Sequence, residues 1–372
     1  MQTPPTVAEN NYYILTFGKG GLTSIFDKTE NQELLDTQKF LGGEVFTMRS
    51  EGTGAGEFSD IQKPTMEGFD KTSLHAGDWT KMESNAVFSR FKFRCKIRNG
   101  EIEEILTLYN EEKRIGFDIS LLNWDGELYR EFRMAIPLRM DNGQVSYEVP
   151  FGVVNVGKDE MEGSPGERHK TLCRDMHPRG IQNWIYAGND KTGITLSSDV
   201  AVADWIDPTA DPVNNIILQP LLMASRRSCH TEGNEYLQTG DHHFSFSLIS
   251  DKPGWQNGFK AALETNEKMQ VVVDPEMYKN ASLPLEMSFF SSENDNLIIS
   301  TVKRAEDNNG FVVRAWDIRG TDCNTRLNFF TTIKQGLQTD LLEYPLHKII
   351  TNSNSAEIKV GHHGIETFLF QK

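Results

Sequence analysis

Apolar and polar side chains alternate at a period of two through most of this chain, a pattern that predicts strands with one buried face. Leu297, Ile299 and Thr301 alternate with their neighbours, as do Phe311, Val313 and Ala315. Glu306-Asp307-Asn308-Asn309-Gly310 between them supplies turn chemistry, so Leu297 to Gly320 predicts a β-hairpin. Tyr13, Leu15 and Phe17 alternate up to Gly18-Lys19-Gly20-Gly21, and Leu22 to Phe26 begins the return strand of an opening hairpin. Phe91, Phe93 and Cys95, then Ile115, Phe117, Ile119 and Leu121, then Phe244, Phe246 and Leu248 each place apolar side chains on one sheet face. Near the end, Ile358 and Val360 precede Gly361-His362-His363-Gly364 and the run Ile365, Thr367, Leu369, which predicts a closing hairpin.

One segment breaks the period. In Gly254 to Met269, Trp255, Phe259, Ala262 and Leu263 recur at helical spacing, which predicts a short amphipathic helix. With Pro275, Asn280 and Pro284 it divides the chain into a long β section over about 10–250, a helix and linker over 251–284, and a shorter β section over 285–372. Glu51 to Ser84 and Gly157 to Gly180 are rich in glycine and lack alternation, and loops of that length in a compact β-domain are usually functional or mobile. No repeat of propeller or solenoid period appears, so the expected class is all-β, a large antiparallel sandwich with one short helix.

Composition narrows the partners. The 372 residues carry a formal net charge of -15, which opposes binding to a phosphate backbone, so nucleic acid is not an expected partner. No apolar run approaches the roughly 18 to 20 residues that cross a bilayer, and Met1 to Asn10 has neither a basic start nor an apolar core. The chain as given is therefore expected to be soluble, without a membrane span or export signal, and it marks no compartment.

Independent catalytic chemistry finds little support. Cys95, Cys173, Cys229 and Cys323 form no CxxC pair, which favours buried thiols over a zinc knuckle or a disulfide framework. Adjacent residues on a strand face opposite ways, so neither His242-His243 nor His362-His363 chelates one ion by itself. His169 and His177 share a loop with Asp175, which permits a site without requiring one. Asn280-Ala281-Ser282 fits a glycosylation acceptor, a tripeptide common by chance. No Gly-x-Ser-x-Gly elbow, phosphate loop or dinucleotide fingerprint occurs.

The wording of the Leu297 to Gly320 hairpin, with Lys303, an acidic turn, Gly310, Arg314 and Asp317, resembles the C-terminal β-region of the glycoside hydrolase family 38 α-mannosidases. Further matching segments follow in family order. They are Asn11-Tyr12-Tyr13 with Ile25-Phe26-Asp27-Lys28, Tyr147 to Val153, Gln182-Asn183-Trp184 with Gly193-Ile194-Thr195-Leu196, Gly240 to Phe244, Leu341-Leu342-Glu343, and Ile365 to Phe368. The resemblance implies a galactose-mutarotase-like super-sandwich of two large antiparallel sheets followed by a smaller β-sandwich section. It also implies retaining α-mannosidase chemistry, in which two carboxyl groups lie about 5 Å apart and a zinc ion holds the terminal mannose. In the family the nucleophile and the zinc ligands lie in an N-terminal barrel, and nothing in this chain resembles them. The expectation is a non-catalytic module with no cofactor of its own, zinc in the catalytic domain, and that barrel and α-mannosides as partners.

By the same resemblance, the β-domain lends residues to the rim of the sugar site. The matching region is Tyr147 to Gly152, with the Gly54 to Asp60 loop beside it. Tyr147 and Trp79 could stack on a pyranose, and Glu148 and Glu57 could accept hydrogen bonds from its hydroxyls. Where the family often has an arginine, this chain has Asn155-Val156, which leaves Arg168 or Arg174 to substitute. Two other readings compete, a free-standing carbohydrate-binding module and a structural β-protein. Exposed apolar surface favours the mannosidase module, and an aromatic-lined groove with convergent polar groups favours the binding module.

Overall fold

The computed structural model describes residues 4–51, 63–164, 171–227, 233–273 and 284–372. They form two compact units, the first Met1–Glu148 with Val154–Lys268 and the second Val149–Val153 with Met269–Lys372.

In the first unit, a nine-stranded antiparallel sheet runs in the order Gly152–Asn155, Gln144–Val149, Trp184–Gly188, Gly193–Ser198, Gly240–Asp251, Ile115–Trp124, Gly100–Tyr109, Phe88–Ile97, Thr80–Ser84. A seven-stranded sheet runs Arg179–Gly180, Val202–Asp204, Ile217–Ala224, Arg130–Pro137, Glu44–Glu51, Lys63–Pro64, with Asp70–Lys71 also paired to Glu44–Glu51. The two sheets pack face to face as the expected large antiparallel super-sandwich. Trp124 of one meets the edge of Phe132 of the other at 5.4 Å. Gly43 lets them approach closely. At its φ of +80°, a Cβ would lie 2.8 Å from Glu104 Oε1 and 2.9 Å from the Phe117 ring.

The expected alternating strands are present, and Phe91, Phe93, Cys95, Ile115, Phe117, Ile119 and Leu121 are all buried. The opening hairpin, Tyr13–Gly18 with Gly21–Asp27, belongs to a separate four-stranded sheet. Tyr13 Oη lies 2.8 Å from Ser250 Oγ, which donates to Asp27 Oδ2 at 2.5 Å, so this sheet is tied to the central strand Gly240–Asp251. The predicted helix forms as a 3-10 turn, Trp255–Asn257, followed by the α-helix Phe259–Asn266. Trp255, Phe259 and Ala262 are buried as the spacing requires, and Trp255 stacks on Trp184 at 5.6 Å.

The irregular stretches carry short elements. Between Glu51 and Ser84, residues 52–62 lie outside the described set, and the rest includes Lys63–Pro64, Asp70–Lys71, the 3-10 turn Thr72–Leu74 and Thr80–Ser84. Of the cysteines, Cys95 and Cys323 are buried thiols, Cys173 is only half-buried, and Cys229 lies outside the described residues, as does Asn280-Ala281-Ser282.

The second unit is a smaller β-sandwich. Its four-stranded sheet runs Phe290–Ser292, Cys323–Phe329, Ser355–Val360, Thr351–Asn352. Its five-stranded sheet runs Leu297–Arg304, Phe311–Asp317, Ile365–Gln371, Gln335–Thr339, Pro345–Ile349. Leu297, Val313, Leu327, Phe329, Ile358, Phe368 and Phe370 share its core, where the Phe329 and Phe370 rings are 4.7 Å apart. Leu297–Arg304 pairs with Phe311–Asp317 as the expected hairpin, with a bulge between Ile299 and Thr301 that interrupts the alternation.

The expected closing hairpin is absent. Ser355–Val360 pairs with Cys323–Phe329, whereas Ile365–Gln371 pairs with Phe311–Asp317 and Gln335–Thr339, so Gly361 to Gly364 carries the chain from one sheet to the other. Alternation does not reveal which strand pairs with which, and the face of the last strand that enters the shared core is Phe368 and Phe370, whereas Leu369 of the expected run packs with Ala305 and Val312 and Ile365 is exposed. Lys303, Arg314 and Asp317 are framework residues of this unit. Lys303 pairs with Glu306 and Glu343, Arg314 donates to Thr367 Oγ1 at 3.1 Å, and Asp317 accepts the backbone N–H groups of Thr321 and His363.

Candidate functional site

Strand Gln144–Val149 carries two of the expected sugar-rim residues, one on each of its faces. Glu148 is 2% exposed. Its Oε2 accepts the Asn183 backbone N–H at 3.1 Å, and its backbone carbonyl accepts that of Gln182 at 2.9 Å. Burial raises the Glu148 carboxyl above the usual range against the pull of those Asn183 bonds. Asn266 of the helix completes the bracket, donating to the carbonyls of Asn183 at 3.1 Å and Ser198 at 2.9 Å.

On the other face, Tyr147 is 6% exposed and stacks on Trp205 at 5.9 Å. The edge of Trp205 meets His177 at 4.8 Å, and His177 Nδ1 lies 2.8 Å from Asp204 Oδ1. Asp204 Oδ2 accepts from Arg133 Nη1 at 3.0 Å, which also donates to Gln219 Oε1 at 3.1 Å. Arg133 Nε donates to Glu131 Oε1 at 2.6 Å, and Glu131 Oε2 accepts from Arg226 Nη2 at 2.7 Å. A ring stack therefore leads into a charge-balanced network, two carboxylates against two guanidinium groups, carried largely by strands of the seven-stranded sheet.

The network sets its own ionisation. Burial works against the charges of Glu131 and Asp204, but Arg133 and Arg226 around the first, and the His177 bond with Arg133 around the second, hold both carboxyls below their ordinary range. Burial likewise opposes the Arg133 charge, yet Glu131 and Asp204 raise it further. The two carboxylates and two guanidinium groups are thus engaged with one another.

The other expected residues are elsewhere. Trp79 is 3% exposed and held between Phe17 at 5.0 Å and Phe93 at 5.5 Å, while its indole N–H donates to the Gly18 carbonyl at 3.1 Å. It precedes Thr80–Ser84 at the far edge of the nine-stranded sheet, seven strands from Gln144–Val149, on the order of 30 Å at the usual strand spacing. Stacking on a sugar needs a free ring face, and the faces of Trp79 and Tyr147 pack against protein. Glu57 lies outside the described residues, with the rest of the Gly54 to Asp60 loop.

Asn155, at the place of the family's arginine, bonds Ser146 Oγ at 2.8 Å and Asp159 Oδ2 at 2.5 Å. Arg174 points outward, with 72% of its side chain exposed, and Arg168 and His169 lie outside the described residues. The basic group near Tyr147 is instead Arg179, paired with Glu160 at 2.8 Å. Sequence reasoning missed Arg179, Asp204 and Arg133. The visible signal was Arg130-Glu131-Phe132-Arg133 at the head of an apolar strand, where opposite charges two apart on one face announce a buried pair. Among the described residues, no three His, Cys, Asp or Glu side chains converge as a metal site would need.

Residues 8–202 match the model of the glycosyl hydrolases family 38 C-terminal domain. The chain belongs to that family. Residues 296–368 match a second family 38 model, the C-terminal beta sandwich domain, so this family 38 chain carries both C-terminal parts in order. None of the curated proteins compared with it matches. Its fold is similar to that of an alpha-mannosidase from Enterococcus faecalis V583, with a TM-score of 0.75 and 15% identity over 100% of this chain and 42% of the other. A glycosyl hydrolase family 38 protein from Enterococcus faecalis gives a TM-score of 0.74 and 14% identity, over 100% of this chain and 44% of its own. The family 38 chain thus spans less than half the length of either structure. No helix among its described residues is long and apolar enough to cross a membrane.

Proposed function

We propose that this chain is the non-catalytic C-terminal part of a zinc-dependent retaining α-mannosidase, the scaffold against which a catalytic barrel completes its sugar site. The observation that carries the reading is the ordered match of both family 38 C-terminal models, over 8–202 and 296–368. In this reading the barrel supplies the nucleophilic carboxylate and the zinc, and α-mannosides are the substrate. The residues of this chain position. The bracket on Glu148 and the stack of Tyr147 on Trp205 hold the strand that leads into Pro150-Phe151-Gly152, the segment proposed to reach the sugar rim. Glu57 belongs to the loop proposed beside it, and Trp79 braces the far edge of the same sheet.

Hydrolysis of an aryl α-mannoside tests the proposal. The chain alone should give no turnover with or without added zinc, and combining it with a family 38 catalytic barrel should raise the turnover of that barrel. Zinc-dependent turnover by the chain alone, abolished by a chelator, would refute the reading, as would a barrel whose activity is indifferent to it.

A further inference from the structure

One hollow is lined by residues that take no part in the Tyr147 network. Beside the loop that follows Val202–Asp204, this hollow of 310 Å³ is lined by Asp36, Gln38, Asn214 and Asn215, with Pro137 and Pro212 among its apolar walls. Several of its polar side chains face solvent, Gln38 and Asn214 being exposed and Asp36 and Asn215 half-buried. Asp36 Oδ1 accepts the Gln38 backbone N–H at 3.3 Å, while the amides of Gln38, Asn214 and Asn215 make no side-chain hydrogen bond among the described residues. Four residues whose side chains together offer donors and acceptors therefore line one space.

The hollow is built on a braced loop. Lys39 Nζ bonds Asp207 Oδ2 at 2.7 Å, and also Thr209 Oγ1 and the Asp211 carbonyl. The Asp207 carboxylate in turn accepts the backbone N–H groups of Thr209 and Val213, each at 2.9 Å. Preformed walls reduce the ordering cost of binding. With the ammonium of Lys39 held by three oxygens and a carboxylate at the rim, the site has no cation to spare for a phosphate or carboxylate ligand. Amides, one carboxylate and proline walls suit a neutral ring whose hydroxyls both donate and accept and whose C–H face is apolar. A hexose displaces about six waters, roughly 180 Å³ at the volume of liquid water, so one sugar unit fits.

We propose that this hollow is a carbohydrate-binding subsite that takes a single terminal hexose of a glycan. It acts without the catalytic barrel, and its test reads no turnover, so it stands or falls separately from the mannosidase reading. Saturation-transfer NMR on the intact chain with methyl α-mannoside, methyl α-glucoside and methyl β-galactoside as probes decides it. Saturable binding of at least one probe is expected, with a dissociation constant on the order of 1 mM, as suits a ligand of so few atoms. Asp36→Ala and Asn214→Ala should each weaken it about tenfold, the effect of one lost polar contact. Melting curves matching the unsubstituted chain show that the variants fold, and Gln38→Ala replaces any that does not. Absence of saturable binding by all three probes overturns the proposal, and so does binding that the substitutions leave unchanged.

Discussion

Replacing Arg133 with alanine should destabilise the first unit by about 3 to 4 kcal/mol, because its guanidinium serves two buried carboxylates at once. The substitution removes bonds of 2.6 Å to Glu131, 3.0 Å to Asp204 and 3.1 Å to Gln219. Breaking a buried ion pair by deleting one partner costs about 3 to 5 kcal/mol, since the other charge is stranded. Here the cost falls in the lower half of that range, because Glu131 keeps Arg226 at 2.7 Å and Asp204 keeps His177 at 2.8 Å. For a unit of this size, that corresponds to a drop in Tm of roughly 6 to 16 °C, read by circular dichroism. The pH dependence adds a second signature. The folded pKa values of Glu131 and Asp204 are depressed, so their contribution is present above the ordinary carboxylate range, near 4, and is lost as pH falls through the folded values. In Arg133→Ala that acid limb should begin at a higher pH. A drop in Tm under about 2 °C refutes the reasoning. Additivity of Arg133→Ala with Asp204→Asn, to within about 0.5 kcal/mol, also refutes it.

Glu104 predicts the opposite pH behaviour. Its carboxyl is fully buried, its Oε1 has no hydrogen-bond partner among the described residues, and burial followed by the charge of Glu44 raises its pKa well above 4.5. Stability tied to the neutral acid is complete below that value and drains as pH rises, so Glu104→Gln should flatten the alkaline side of a stability profile; an unchanged slope refutes this. Trp79→Ala should cost about 3 to 5 kcal/mol in urea unfolding, because it empties a core position between Phe17 and Phe93; a near-neutral result would mean the ring is not packed. Gly310→Ala should destabilise the second unit by more than about 1 kcal/mol, since at φ +140° its Cβ would lie 2.1 Å from the Phe370 carbonyl; wild-type melting would contradict that backbone.

The strands were legible because most bury one face only. Ile115 to Leu121 and Phe91 to Cys95 are buried at every second position, which is what alternation encodes. Arg130–Pro137 was harder to read, since all eight residues are buried and its charges are satisfied by partners far along the chain, Asp204 and Arg226. Pairing across sheets is likewise invisible to local pattern, and Gly361 to Gly364 therefore read as a hairpin turn. At the candidate site, the family wording located the Tyr147 to Val153 segment, but aromatic type alone could not separate a ring free for a sugar from one packed in a core. Trp79 and Tyr147 are both of the second kind.

Ile365–Gln371, late in the sequence, lies in the middle of its sheet, between Phe311–Asp317 and Gln335–Thr339. During synthesis the two halves of that sheet therefore wait, their ladders unjoined, until this strand leaves the ribosome. Until then Val312 and Val313 belong to an open, apolar strand edge of the kind that templates association between chains. The second unit is thus most exposed to misassembly before this central strand arrives, and a chaperone that shields Phe311–Asp317 would act in that interval.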